Sequence, residues 1–422
     1  MSRTIGTALL AASLTAVMGF SRPASAQTGF THDQYREQGL RHFWEAQLPL
    51  KGGEVVRGCY KRAGTIFCTT SHAAVFAVDA RAGVIAWSRQ VGHLGDIIFP
   101  PTVSLGVGLD DAVVITSQSS VSVFDRKSGE LLIEGKIPFG PSGPAVASDE
   151  LLWGGALDGM MYAHLPSGFN LWRFKTAGAI TAAPLLLPHR IVFASNDGFV
   201  YCATPIDKRR IWVFDAIGSV IGTPAFRDDL LYVSSKDHRV YCLNVETGEL
   251  LWQFLSPASL EASPHATVDT LYQYCGEGGM LALDRENGRQ RWVLPEGISF
   301  VAQHKNIAYV RDVAGQLIAI DNRNGEVRNR LNVPYMDIAA ANTDDAGIFG
   351  SSYGGLVTCL QPLDVPYLRS GEIAAALRRA RPKPDEAADD ALWTDDATTR
   401  PPARDPLEST SKIPPLTGRT GG

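Results

Sequence analysis

Trp172, Trp212, Trp252 and Trp292 follow one another at intervals of 40 residues. A fixed period of that length means a stack of like supersecondary units, each burying its apolar face against the next. The clearest copy runs Val240-Tyr-Cys-Leu-Asn-Val-Glu-Thr-Gly-Glu-Leu-Leu-Trp252. Val75-Phe-Ala-Val-Asp-Ala-Arg-Ala-Gly-Val-Ile-Ala-Trp87 matches it upstream, and Leu281-Ala-Leu-Asp-Arg-Glu-Asn-Gly-Arg-Gln-Arg-Trp292 downstream. Two degenerate copies keep the Asp and the Gly but lose the indole: Asp125, Gly129 and Ile133, then Asp321, Gly325 and Asn329.

Each copy reads as a hairpin. Alternating apolar residues make a strand, Asp or Asn opens the turn, Gly four residues later supplies positive φ, and a second strand carries the indole. Another strand precedes the hairpin, as in Arg190-Ile-Val-Phe-Ala-Ser195 and Leu230-Leu-Tyr-Val-Ser-Ser235. Ahead of that lie small-residue segments with prolines again 40 apart: Thr181-Ala-Ala-Pro184, Gly222-Thr-Pro224 and Ala262-Ser-Pro264. This segment is expected to be the innermost strand, where converging blades leave little room and an unpaired edge tolerates proline. Four strands per unit is the blade of a β-propeller. The large indoles then pack between neighbouring blades rather than forming a binding cage.

The two ends fix the number of blades. Gly347-Ile-Phe-Gly-Ser-Ser-Tyr-Gly-Gly-Leu-Val-Thr-Cys-Leu360 has inner strands but no Trp strand after it, while Arg41-His-Phe-Trp-Glu-Ala-Gln-Leu48 is a Trp strand with nothing before it. Pairing them closes the ring and removes two open edges. The Trp positions are then Trp44, Trp87, Ile133, Trp172, Trp212, Trp252, Trp292 and Asn329, which makes eight blades. A seven-bladed ring is the rival, because the Ile133 and Asn329 units are irregular. The expected class is all-β, with a signal peptide over residues 1–26, the propeller over 27–363, and a short helix (Gly371 to Arg381) and disordered Pro/Asp-rich tail within 364–422.

The hairpin with Asp, then Gly, then Trp resembles the PQQ-like propeller repeat family, from Trp44 to about Leu363. In size and organisation the chain is most similar to the BamB branch of that family, the eight-bladed accessory proteins of the outer-membrane β-barrel assembly machine. That resemblance implies a non-catalytic protein–protein scaffold outside the cytoplasm, partnered by envelope proteins. BamB proteins carry a lipid on an N-terminal cysteine; here the first cysteine is Cys59, so an unanchored relative is expected. The quinoprotein dehydrogenases of the same family stack their quinone on adjacent, bridged cysteines and hold calcium near the axis. This sequence has no adjacent cysteines and no cluster of acidic or amide residues on the expected inner strands, so neither PQQ nor any other cofactor is expected.

Composition agrees. The formal net charge is −5 and the densest basic run in the repeats, Lys208-Arg209-Arg210, falls in an expected turn, which offers nucleic acid no basic face. Arg3, the apolar stretch from Ile5 to Phe20 and the Ala24-Ser25-Ala26 cleavage pattern read as a secretory signal, and no other segment is apolar enough to span a bilayer. A monomeric, periplasmic or secreted protein is expected. Of the six cysteines, Cys202, Cys242 and Cys359 share one repeat position with Ala77, Ala282 and Ala319, a small buried slot. Cys59 and Cys68 flank an expected turn at Lys61 to Gly64 and are a candidate disulfide.

Signals for chemistry are sparse. The nine histidines show no metal-binding spacing, although His265 and His304 both fall near inner strands and could meet at the axis. Asp110-Asp111 and Asp228-Asp229 read as turn residues, as does the glycine cluster Gly276-Glu-Gly-Gly279. Besides the scaffold, two readings stay open: a quinoprotein oxidoreductase, and a glycan or small ligand bound across one mouth of the ring. His93, Phe99, Tyr274, Tyr335 and Tyr353 are the loop candidates for the second.

Overall fold

The computed structural model describes residues 32–379 except 104–108, 110, 138 and 149. The segment expected as a signal peptide (1–26) and residues 380–422 of the expected tail lie outside these residues. Eight antiparallel sheets of four strands each follow one another around a ring. Blade one spans residues 56–90, and blades two to seven span 102–136, 146–175, 185–215, 225–255, 265–294 and 297–332. Blade eight takes three strands from 338–362 and its outer strand, Leu40–Gln47, from the other end of the chain. That strand pairs antiparallel with Leu356–Pro362, as the two half-blades of the sequence require.

The eight repeat positions fall in one register. Trp44, Trp87, Ile133, Trp172, Trp212, Trp252, Trp292 and Asn329 stand opposite Cys359, Ala77, Val123, Ala163, Cys202, Cys242, Ala282 and Ala319. Every one of those partners is buried, which explains why the slot accepts only small or modest side chains. Burial pushes the thiols of Cys202 and Cys242 up to about 12, so they behave as apolar packing groups.

The turn glycines have a second role that the sequence alone did not reveal. Five of the six indoles lean across the seam onto the Asp- or Asn-to-Gly turn of the following blade, and the sixth, Trp172, meets the glycine-free turn of blade four. A Cβ on Gly83, Gly129, Gly248, Gly288 or Gly325 would lie 2.4–2.6 Å from Trp44, Trp87, Trp212, Trp252 or Trp292 respectively. The indole N–H groups of Trp44, Trp87, Trp212 and Trp252 donate to the carbonyls of Ala80, Arg126, Val245 and Arg285, the residue just after the turn's Asp, Asn or equivalent. Trp292 donates to the Asn322 side chain and Trp172 to Pro205 O. The carboxylates of Asp79, Asp125 and Asp284 and the amide of Asn244 accept the next backbone N–H groups and hold the turns open. Burying an indole face contributes on the order of 4 kcal/mol per seam.

One expectation needs correction. The small-residue segments are not the innermost strands; those begin just after the prolines, at Leu185–Leu187, Ala225–Arg227 and His265–Ala266. Proline has no N–H to give a ladder, so pairing starts beyond it. The small residues instead link blade to blade: Ala183 N donates to Thr223 Oγ1 (3.0 Å) and Thr223 N to Ser263 Oγ (2.8 Å). Two helices flank the ring: α1 (His32–Glu37), which the sequence did not suggest, packs beside the outer strand of blade eight, and α2 (Ser370–Arg379) reaches blade one, where Glu372 pairs with Arg81 (2.7 Å). The Arg41 guanidinium lies 3.8 Å over the Tyr367 ring and 5.5 Å from that of Phe43, fastening the segment before α2 to the outer strand.

Candidate functional site

A propeller presents two rims. Here one, the turn rim, carries the short connections between first and second strands and the Asp-to-Gly turns. The other, the loop rim, carries the turns between second and third strands and the longer links between blades.

The turn rim is heavily ion-paired. Asp111 is bound by Arg126 (2.6 Å) and Lys127, whose hydrogen bonds hold its carboxyl at about 2. Asp228 binds Arg285 across a seam (2.8 Å). These aspartates act in turns, as expected; Asp110 lies outside the described residues. Lys208, Arg209 and Arg210 are exposed around the blade-four turn, with Lys208 taking the positive φ (51°) that glycine takes elsewhere.

Toward the axis on this rim, residues from blades one, five, six and eight converge. The Lys61 ammonium, only 2% exposed, is bracketed by Asp344 (3.0 Å) and Asp345 (2.9 Å) of blade eight. Arg62 donates to Pro101 O (3.1 Å) and to Lys61 O (2.9 Å). Arg227 reaches from blade five to Ala266 O (3.4 Å) and Thr343 O (3.3 Å). Burial, with Arg62 nearby, holds His265 down at about 4, so its imidazole is neutral at pH 7. A cavity of about 320 Å³ opens alongside, lined by Thr267, Asp269, Gln303, Lys305, Asn306 and Asp344 among others. Lys61, Arg62 and Arg227 were not legible as a group in the sequence; they sit at strand ends in distant repeats, and only the ring brings them together.

His265 and His304 do not form a joint site. His265 packs beside the Phe300 ring at 5.7 Å, whereas His304 turns to the Asp364 carboxylate at 3.0 Å. Four residues along one strand separate Phe300 from His304, which directs the two imidazoles to different partners. Among the described residues no cluster of three His, Cys, Asp or Glu could hold a metal ion. Gly276–Gly278 form a single 3₁₀ turn.

The loop rim is different. His93, Phe99, Tyr274, Tyr335 and Tyr353 all fall on it, His93 and Tyr353 exposed and the other three half-buried. With them stand exposed apolar side chains: Leu94 and Ile97 in the link from blade one to two, Leu157, Ile217 and Val313. Ile217 is the notable one. It is 73% exposed and its φ is +63°, a conformation strained for a β-branched residue. Its N–H is held by Asp215 Oδ1 at 2.8 Å, so the link is built to hold it there. Composition did not signal this, because an isolated Ile in a loop carries no motif.

Cys59 and Cys68 face each other directly across the first two strands of blade one, their Sγ atoms 4.0 Å apart and unbonded.

The sequence profile of the family described as outer membrane protein assembly factor BamB matches residues 41–214, 157–297 and 217–347. No curated protein matches the sequence. Among solved structures, BamB from Moraxella catarrhalis superposes with a TM-score of 0.60 at 18% identity, covering 78% of this chain and 99% of that one. The computationally designed Ika8 protein superposes with a TM-score of 0.58 at 13% identity, covering 75% and 98%. At these identities the two likenesses speak to the fold.

Proposed function

Given that the chain belongs to the family of outer membrane protein assembly factor BamB, we propose that it is a non-catalytic, monomeric scaffold outside the cytoplasm that binds envelope proteins through its loop rim. The observation that carries this reading is Ile217, an apolar side chain held in solvent by a strained backbone. Strain of this kind costs about 1–3 kcal/mol and persists where the surroundings over-determine it, commonly at sites of contact. Leu94, Ile97, Leu157 and Val313 extend the apolar content of the same rim. The ion pairs of the turn rim, such as those of Asp111 and Asp228, offer a partner less to gain, since exposed ion pairs are worth little when re-formed across an interface.

On this reading the protein needs no cofactor, and its ring is the rigid support on which the links are displayed. The test is a photo-reactive amino acid placed at Ile217 or Leu94, with Ile206 on the turn rim as the control, followed by cross-linking in the native envelope. A recurrent adduct from the loop-rim positions and none from Ile206 is expected. Equal labelling from both rims, or dye reduction by the purified chain once PQQ and calcium are added, would remove the proposal.

A further inference from the structure

We propose that Cys59 and Cys68 form a disulfide that staples the innermost hairpin of blade one, at the seam with the closing blade, blade eight. The two residues are direct cross-strand partners. Directly opposed Cα atoms in an antiparallel pair lie about 4.5 or 5.5 Å apart, inside the range that bridges span. The Sγ atoms already touch at 4.0 Å, so side-chain rotation, with little backbone movement, makes the bond. The other four cysteines are otherwise engaged. Cys202, Cys242 and Cys359 face Trp212, Trp252 and Trp44 across their strands, and the Cys275 thiol donates to Gln273 O.

Position gives the bridge its role. Cys59 and Cys68 belong to one apolar cluster with Val56 and Phe76 of blade one and Phe349 and Val357 of blade eight. The strand that holds Cys59 ends in Lys61 and Arg62, and Lys61 makes the ion pairs to Asp344 and Asp345 across the seam between blades one and eight. A staple between the first two strands therefore fixes the strand that carries the ion pairs to blade eight.

The chemistry sets the order of events. In the finished fold the hydrogen bond between the thiols, together with burial, raises Cys68 well above the usual thiol range, so little nucleophilic thiolate exists there. The bond forms earlier. Only nine residues separate the two cysteines, and so local a hairpin closes long before contacts between the chain ends. One thiolate attacks a disulfide of the oxidant to give a mixed disulfide and release one oxidant thiol. The second cysteine's thiolate then displaces the other oxidant sulfur, forming the Cys59–Cys68 bond. Two protons leave the protein and the oxidant departs reduced to two thiols. A thiol–disulfide oxidase or glutathione disulfide of an extracytoplasmic compartment is the oxidant class required, so the bridge in the cell rests on the location proposed above.

The experiment supplies the oxidant itself. The full chain is made by cell-free translation at an oxidising glutathione ratio, and the soluble protein is unfolded without reductant and labelled with a mass-tagged maleimide. Wild type, with six cysteines, is expected to take four labels, the Cys59→Ser and Cys68→Ser chains five each, and Cys242→Ser three. Non-reducing digestion is expected to yield one linked peptide pair holding Cys59 and Cys68, which decides the matter on wild type alone if a variant fails to fold. Six labels on wild type, or a linked pair containing any other cysteine, overturns the proposal. Because the buffer provides the oxidant, failure here leaves the proposed location untouched, and a wrong location leaves this result intact.

Discussion

Six of the eight seams are sealed by an indole and two are not, and the exceptions have different causes. After blade four, Trp212 lies on Gly248 and donates to Val245 O of blade five. After blade seven, Asn329 holds the same register position, opposite Ala319. Blade eight, however, has no turn there to receive an indole, because its last two strands are the two ends of the chain. After blade two, Ile133 faces a shorter turn. Nine residues separate Ala163 from Trp172 in blade three, where ten separate Cys242 from Trp252. A Cβ on Gly168 in that turn would meet no ring, only Lys136 O at 3.6 Å. The repeat's tryptophan thus reports the shape of the following blade's turn rather than the needs of its own blade.

The largest expected effect tests the pairing of the chain's two ends within blade eight. Deleting residues 27–47 removes the strand paired with Leu356–Pro362 and exposes a long apolar edge; loss of soluble, cooperatively melting protein is expected. Retention of both would mean that the ends do not share a sheet. Next, Trp212→Ala should cost about 3–5 kcal/mol in denaturant unfolding, whereas Asn329→Ala should cost under about 1 kcal/mol. Equal costs would erase the distinction between sealed and unsealed seams.

The glycines sharpen it further. Gly248→Ala meets both a φ of +73° and the Trp212 ring at 2.6 Å, and should cost about 2–4 kcal/mol. Gly168→Ala meets only its φ of +85° and should cost about 1 kcal/mol. The last effect belongs to the axis. His265 is held at about 4 when folded and returns to about 6.5 when unfolded. The unfolded chain therefore binds the extra proton, and stability is full above about pH 6.5 and falls as pH drops toward 4. At pH 5.5 the loss should be on the order of 1 kcal/mol, and His265→Asn should abolish that part of the slope in urea melts.

Much of the fold was legible because the indoles, the Asp and Gly of the turns and the split final unit all repeat at one interval. Ile133 and Asn329 could be placed by register although neither shares the indole's chemistry. Four things were not legible. The small-residue segments looked like inner strands because composition cannot show where pairing starts after a proline. The second role of the turn glycines needed the neighbouring blade. The axial group of Lys61, Arg62, Arg227 and His265 draws on three blades far apart in sequence. The loop aromatics all fall on one rim, three of them half-buried, while the strained Ile217 beside them had no sequence signature.

Hydrogen exchange on the intact chain tests closure most directly. Once residues 40–47 and 356–362 pair as one edge of a ring, their amides should be protected together and open with the same free energy as the neighbouring strands of blade eight. Immediate exchange throughout 40–47, with 348–362 still protected, would contradict the eight-bladed ring joined by its two ends.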